Sequence, residues 1–427
     1  PYFKRMERRI GEADATYRGS EGPLTVSTME WNDPLCEAFM EGAVSLGIPR
    51  NRDYNGEIQE GVSYCQRTIE KGLRMSAAKA FLHPARKRGN LDVRTHAHVT
   101  NIIFEGKRAV GVRYLKGGRG GTPVEVRASR EVILSGGAYN SPQVLQLSGV
   151  GSPELLNSLG IEVRHALPGV GEGLQDHYAP RSVARVKNIK TINELRRGLS
   201  LWVEALKWAT TRRGLLSLSP TMVYCFWHSG ETNESSDLQL TFTPASYKEG
   251  VQGQLEDEPG MTVASWQQRP ESRGYVRIRS SDPFQQPIIQ TNYLVEEVDR
   301  RVVVAGMKLA RRLLQSEPLK PYYAYEDFPG PKVQSDDEFL AAATERGTTT
   351  FHPGCTCRMG PADKPWAVVD DQLRVHGLEG LRVIDASVMP RMISANLNAS
   401  TLMIADKASD MIRGKAPMEA VKLAAYA

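Results

Sequence analysis

Residues 131–147, EVILSGGAYNSPQVLQL, leave this chain few folds to choose from. Val132, Ile133 and Leu134 form an apolar run bounded by polar residues, which reads as a short buried strand. Gly136 and Gly137 follow almost at once, and a glycine pair permits the tight turn that larger residues obstruct. The next stretch, NSPQVLQLSGVG, reads as a helix and its termination. Strand, glycine turn and helix start, in that order, belong to a doubly wound α/β sheet.

The pattern is not uniform along the chain. Residues 90–115 alternate apolar and polar positions on both sides of Glu105-Gly106-Lys107, which predicts a hairpin. In the middle, DLQLTFTP (237–244) and GYVRIRSS (274–281) alternate cleanly, with Leu238, Leu240 and Phe242 sharing one face. That predicts an antiparallel sheet with one wet face. VDRRVVVAGMKLARRLLQ (298–315) places Val303, Met307, Ala310 and Leu314 on one helical stripe. The α/β character returns near residue 345, with LRVIDASVMP (381–390) as a strand into a turn. NASTLMIADKASDMI (398–412) follows as a helix with Ser400 or Thr401 at its start.

Composition removes several classes of function. At 427 residues, 41% hydrophobic and 24% charged, the chain is an ordinary globular one, long enough for two domains or one composite fold. A formal charge of +5 with short, separated basic clusters gives no nucleic-acid footprint. No apolar run reaches the ~18 residues of a membrane span. The five cysteines, Cys36, Cys65, Cys225, Cys355 and Cys357, are odd in number and scattered, which implies a reducing compartment, read as the cytoplasm. Cys355 and Cys357 lack the two-residue gap of a zinc pair, and no second pair exists to complete a metal site. His352, in TTTFHPGCTCRMG (348–360), is therefore either a structural histidine or a base.

The run GAYNSPQVLQLSGVG (137–151) resembles, throughout, the second signature of the glucose–methanol–choline (GMC) oxidoreductases. Further resemblances lie, in family order, at DYNGEIQEGVSYCQ (53–66), LPGVGEGLQDH (167–177), RPESRGYVRI (269–278), HPGCTCRMG (352–360) and RVIDASVMPRMISANLNASTLMIADKASD (382–410). The resemblance implies an FAD-binding α/β domain, from residues 85–178 and 345–415. It also implies a substrate domain on an antiparallel sheet, with connecting segments, from 1–84 and 179–344, and a tail at 416–427. One element of the family is not found. The strand–GxGxxG–helix unit that cradles a pyrophosphate has no counterpart, since GVGEGL (169–174) follows Leu-Pro, not a strand. The FAD-binding domain is thus expected to be incomplete at its N-terminus, with the absent segment as one expected partner.

Oxidising an alcohol requires a base for the hydroxyl proton beside an acceptor for the hydride. The resemblance implies that His352 is that base and that Asn396, in SANLNAS, is its partner; an ordinary αL turn residue is the alternative for Asn396. Backbone groups at Asp385, Ala386, Asn398, Ala399, Ser400 and Thr401 are implied to meet FAD. Val99 is implied to meet the adenine, or is only a hydrophobic strand residue. Phe351, Tyr224 and Phe226 are candidates for the substrate pocket, and the last two suit a sheet core equally well. The implied activity is FAD-dependent oxidation of a primary alcohol (aryl, furanic or choline-like) to the aldehyde, with O2 or a quinone-type acceptor. A hydroxynitrile lyase of the same fold and a non-catalytic fragment stay open as alternatives.

Overall fold

The computed structural model describes residues 1–29, 31–232, 235–249 and 253–420. Most of the chain is organised around two cores. The larger lies under a six-stranded antiparallel sheet. Its order is Tyr323–Phe328, Arg181–Val186, Gly260–Gln267, Leu238–Thr243, Val223–Trp227 and Gly61–Tyr64. Leu238, Leu240 and Phe242 face one way and pack with Leu35, Phe39, Val302 and Ala310 of two covering helices, Pro34–Ser45 and Glu297–Leu314. The rings of Phe39 and Phe242 stack with centroids 4.4 Å apart.

Both helices start and end where their sequences allow. Asp33 caps the first by accepting the Leu35 and Cys36 N–H groups, and Pro34 occupies its first position. The second has Glu297 and Asp299 in its first turn and Arg311 and Arg312 in its last, each complementing the local end of the helix dipole. The expected stripe of Val303, Met307, Ala310 and Leu314 is buried along its length.

Two expectations for the sheet need correction. Every residue of Leu238–Thr243 is buried, so the sheet has no wet face there. Its polar residues, Gln239 and Thr241, face the interior of the protein, and alternation alone does not tell an inner polar wall from a solvated one. The strand Gly274–Arg277 belongs to a separate three-stranded sheet, between Glu172–Leu174 and Ile288–Gln290.

The second core surrounds a parallel pair, Val132–Leu134 with Leu381–Val383, in the register Val132↔Leu381 and Leu134↔Val383. Leu145, Val150, Val375, Val388 and Ala408 pack against it. This is the α/β part of the fold, although its parallel strands pair only two at a time among the described residues. The hairpin Ala97–Glu105 and Arg108–Lys116 forms as expected, with Gly106 at φ 57° in its turn, and Thr122–Arg127 adds a third strand. The helix Gly137–Leu147 starts at a residue with φ 80°, where glycine is at ease. The last helix is Leu397–Ile412 with Asn396 as N-cap, not Ser400 or Thr401. Thr401 lies inside it and donates its hydroxyl to the Leu397 carbonyl at 2.9 Å, a bond available only within a helix. Of the tail at 416–427, residues 421–427 lie outside the described residues.

One helix, Gly198–Thr211, buries none of its side chains, and Leu199, Trp202, Val203 and Leu206 form an exposed stripe. It provides a contrast with the core. Phe39→Ala should cost about 3–5 kcal/mol in urea unfolding, the range for truncating a fully buried aromatic. Leu199→Ala should stay within about 0.5 kcal/mol. Equal losses at the two positions would contradict the placement of the main core.

Candidate active site

Three segments converge on His352. The loop Thr348–Gly354 carries it, the segment Gln175-Asp176-His177 supports it from within, and the start of the last helix brings Asn396 to its ring. Asn396 Nδ2 lies 3.0 Å from His352 Nε2. The two predicted partners are therefore brought together. Asn396 has φ −62° and ψ 138°, which is extended backbone, so the αL alternative for this residue is wrong. Its side chain makes no capping bond to its helix and is left to meet the imidazole.

The loop is held mainly by Asp176. Its buried carboxylate accepts from Tyr293 Oη at 2.5 Å, from the His352 backbone N–H at 2.9 Å and from the Thr349 hydroxyl. Burial pushes the Asp176 carboxyl up, while these donors pull it back down. The backbone around it is held as well. The Thr350 N–H reaches the His177 carbonyl at 3.0 Å, and Gln175 and Gly354 exchange backbone bonds. Phe351 takes φ 61°, an uncommon conformation for an aromatic residue, with its N–H donated to Thr349 Oγ1 at 2.8 Å.

Behind the base lies His177, fully buried. Its Nε2 is 2.8 Å from the Gln268 carbonyl, and its Nδ1 is 2.9 Å from His352 Nδ1. The two rings meet edge to face, with centroids 5.2 Å apart. Burial lowers His352 to about 4. Burial, and next the neighbouring His352, lower His177 to about 3 against the pull of the Gln268 and Ile393 carbonyls. Both imidazoles are neutral at ordinary pH, as a base must be before it acts.

The other predicted residues fall in different places. Tyr224 and Phe226 lie on the inner face of the large sheet, their rings 6.0 Å apart and both against Tyr54. The same face continues across the strands from Phe226 to Gln239 to Trp266, and the Trp266 ring is 6.5 Å from that of His352. Phe351 points out, 59% exposed. Val99 sits in the hairpin opposite Tyr114. The Asp385 carboxylate accepts from Gly137 N, Ser141 Oγ and Ser387 N at 2.9, 2.6 and 2.8 Å, tying the glycine turn to the second strand. The Ala386 carbonyl takes the Cys355 N–H. Asn398 and Ala399 are exposed in the first turn of the last helix, and Ser400 is half-buried. All five thiols are buried and free, and burial drives Cys355 up to about 12. Asp176, His177 and Thr350 carry no role in the sequence reading, although the first two end the LQDH stretch singled out there.

The sequence pattern of GMC oxidoreductases matches residues 1–179 with its N-terminal part and residues 270–405 with its C-terminal part. The chain belongs to the GMC oxidoreductase family. It is 41% identical over 422 residues to an oxygen-dependent choline dehydrogenase of Staphylococcus saprophyticus, covering 98% of this chain and 74% of that one. Pyridoxine 4-oxidase from Mesorbium loti superposes with a TM-score of 0.83 at 26% identity, over 97% of this chain and 76% of that one. Formate oxidase of Aspergillus oryzae gives 0.87 at 25% identity, over 97% and 77%. The choline dehydrogenase and oxidase relatives support FAD-dependent alcohol oxidation in general, and FAD is the cofactor of this enzyme. The residues present fit it. The last helix opens at Asn396, whose side chain meets His352 and does not cap the helix, and the N–H groups of a helix start stabilise negative charge on a bound ring. Among the described residues no helix is long and apolar enough to cross a membrane.

The two buried imidazoles make stability depend on pH. Below the ordinary histidine value of 6.5 the unfolded chain takes up protons that folded His352 and His177 refuse until about 4 and about 3. Their contribution is complete above 6.5 and is lost as the pH falls through that window. The melting temperature should therefore drop on acidification, and His177→Gln should flatten the slope. An unchanged slope would show that His177 is not buried neutral.

Proposed function

We propose that this GMC oxidoreductase oxidises a primary alcohol to the aldehyde, with His352 taking the hydroxyl proton at Nε2 and Asn396 holding the alcohol oxygen. The observation that carries this reading is the 3.0 Å pairing of the Asn396 amide with His352 Nε2 at the open start of the last helix. An alcohol oxygen that displaces this direct contact and faces both groups donates its proton to the imidazole and accepts from the amide. That contact strengthens as alkoxide character develops, so it lowers the barrier more than it tightens binding. FAD supplies the acceptor for the hydride. Backbone at Asp385, Ala386 and Asn398–Thr401 would hold it, with Val99 near the adenine. On this reading segments 85–178 and 345–415 serve the cofactor, and 1–84 and 179–344 serve the substrate and connect the parts. The electrons pass on to O2 or a quinone-type acceptor.

Within primary alcohols, a choline-like substrate is favoured over aryl or furanic ones. Choline dehydrogenases are among the chain's relatives, and the inner sheet face presents Tyr224, Phe226 and Trp266, with Tyr54 packed against the first two. Aromatic faces attract a quaternary ammonium through the ring quadrupole. Anaerobic bleaching of the flavin by choline, with little by benzyl alcohol, is the expected result. The reverse order would assign the aromatic wall to an aryl substrate.

His352→Ala should slow flavin reduction by roughly 10²–10⁴, the usual loss for a general base, with FAD content retained. Asn396→Gly tests the partner cleanly, because glycine at an N-cap costs only a few tenths of a kcal/mol. Its reduction rate should fall by about 10–1000-fold while substrate affinity and melting temperature hardly move. A wild-type rate in stopped flow would remove Asn396 from the pair.

A further inference from the structure

A neutral imidazole has one N–H and one lone pair, and its partners decide which nitrogen carries which. His177 Nε2 faces a carbonyl oxygen, Gln268 O, at 2.8 Å, and a carbonyl only accepts. Of the two carbonyls that pull on the ring, that of Gln268 makes the 2.8 Å bond, which places the single proton of neutral His177 on Nε2 and leaves Nδ1 a lone pair. The only side-chain nitrogen bonded to that lone pair among the described residues is His352 Nδ1, at 2.9 Å. Two lone pairs do not attract, so His352 Nδ1 must carry its proton. The Thr350 hydroxyl, 2.8 Å from the same nitrogen, donates to the His177 carbonyl at 3.1 Å and so also receives from His352.

We propose that His177 is a positioning residue that fixes the tautomer of His352 through the contact between their Nδ1 atoms, leaving the lone pair of His352 on Nε2. In the other tautomer the lone pair would point inward, and Nε2 would present a proton to the alcohol. The Gln268 carbonyl sets His177, His177 sets His352, and His352 faces Asn396. This inference rests on the reading of His352 as the base, and it concerns which atom accepts. The buried setting strengthens the bond, since His177 has no surface exposed to solvent.

The test is long-range 1H–15N NMR of the histidine side chains in protein labelled with 15N-histidine, with and without flavin, His352 being assigned by its loss in His352→Gln. The wild type should show a protonated Nδ1 and an unprotonated Nε2 at His352. A proton on Nε2, or an averaged mixture, overturns the proposal without recourse to any variant. In His177→Leu the tautomers should mix and flavin reduction should fall about 10–100-fold, the range for removing the outer partner of a functional histidine. His177→Asn, whose Oδ1 offers an acceptor near the Nδ1 position, should recover most of both. A fixed Nδ1–H tautomer persisting in His177→Leu would assign the control to Thr350 and overturn the proposal. A wild-type reduction rate in His352→Ala would refute the base reading alone and leave the NMR result standing.

Discussion

The Asp176 carboxylate is the contact on which the site depends. A buried carboxylate is tolerated only when donors surround it, and its donors here come from distant parts of the chain: Tyr293, Thr349 and the backbone of His352. Satisfying one charge therefore fixes the loop against Tyr293. The neighbouring residue, His177, projects its side chain to the His352 ring, while its carbonyl takes the Thr350 N–H. Two consecutive residues thus meet the main chain and the ring of the same histidine. The unusual dihedral of Phe351 belongs to this arrangement, because backbone in a sparsely populated region persists only where its surroundings dictate it.

The large sheet divides the labour between its faces. The side bearing Leu238, Leu240 and Phe242 is filled by two helices and supplies the packing energy. The other side presents Tyr224, Phe226, Gln239 and Trp266 toward the site. Gln239 and the Trp266 Nε1 are buried there with no hydrogen-bond partner among the described residues, the kind of polar lining that a binding wall carries and a packing face does not. Rigidity on one side is what lets the other be chemically specific.

Much of this was legible in the sequence where local patterns decide structure. The strand, glycine turn and helix around Gly136-Gly137 formed as periodicity and glycine chemistry require, and so did the amphipathic helix through Val303, Met307 and Ala310. His352 and Asn396 were legible only through resemblance, since nothing local distinguishes a base from a structural histidine. The errors share a cause. The wet face assigned to Leu238–Thr243, the sheet assigned to Gly274–Arg277 and the αL backbone held as the alternative for Asn396 all depend on what packs against a segment. His177 escaped for the same reason: a histidine at the end of a loop motif looks like any other until its ring is seen against a second one.

The burial of His177 also governs where protons can travel. Its far nitrogen ends on the Gln268 carbonyl, which has no proton to pass on, and the ring itself resists a second proton down to about 3. No inward wire leads from the base to bulk water along this path. On the proposed assignment, a proton collected at Nε2 must depart by the side from which it came, past Asn396. Release of the aldehyde and discharge of the base then share one exit, and the order of those two events is decided on the Asn396 side of the imidazole, not in the protein interior.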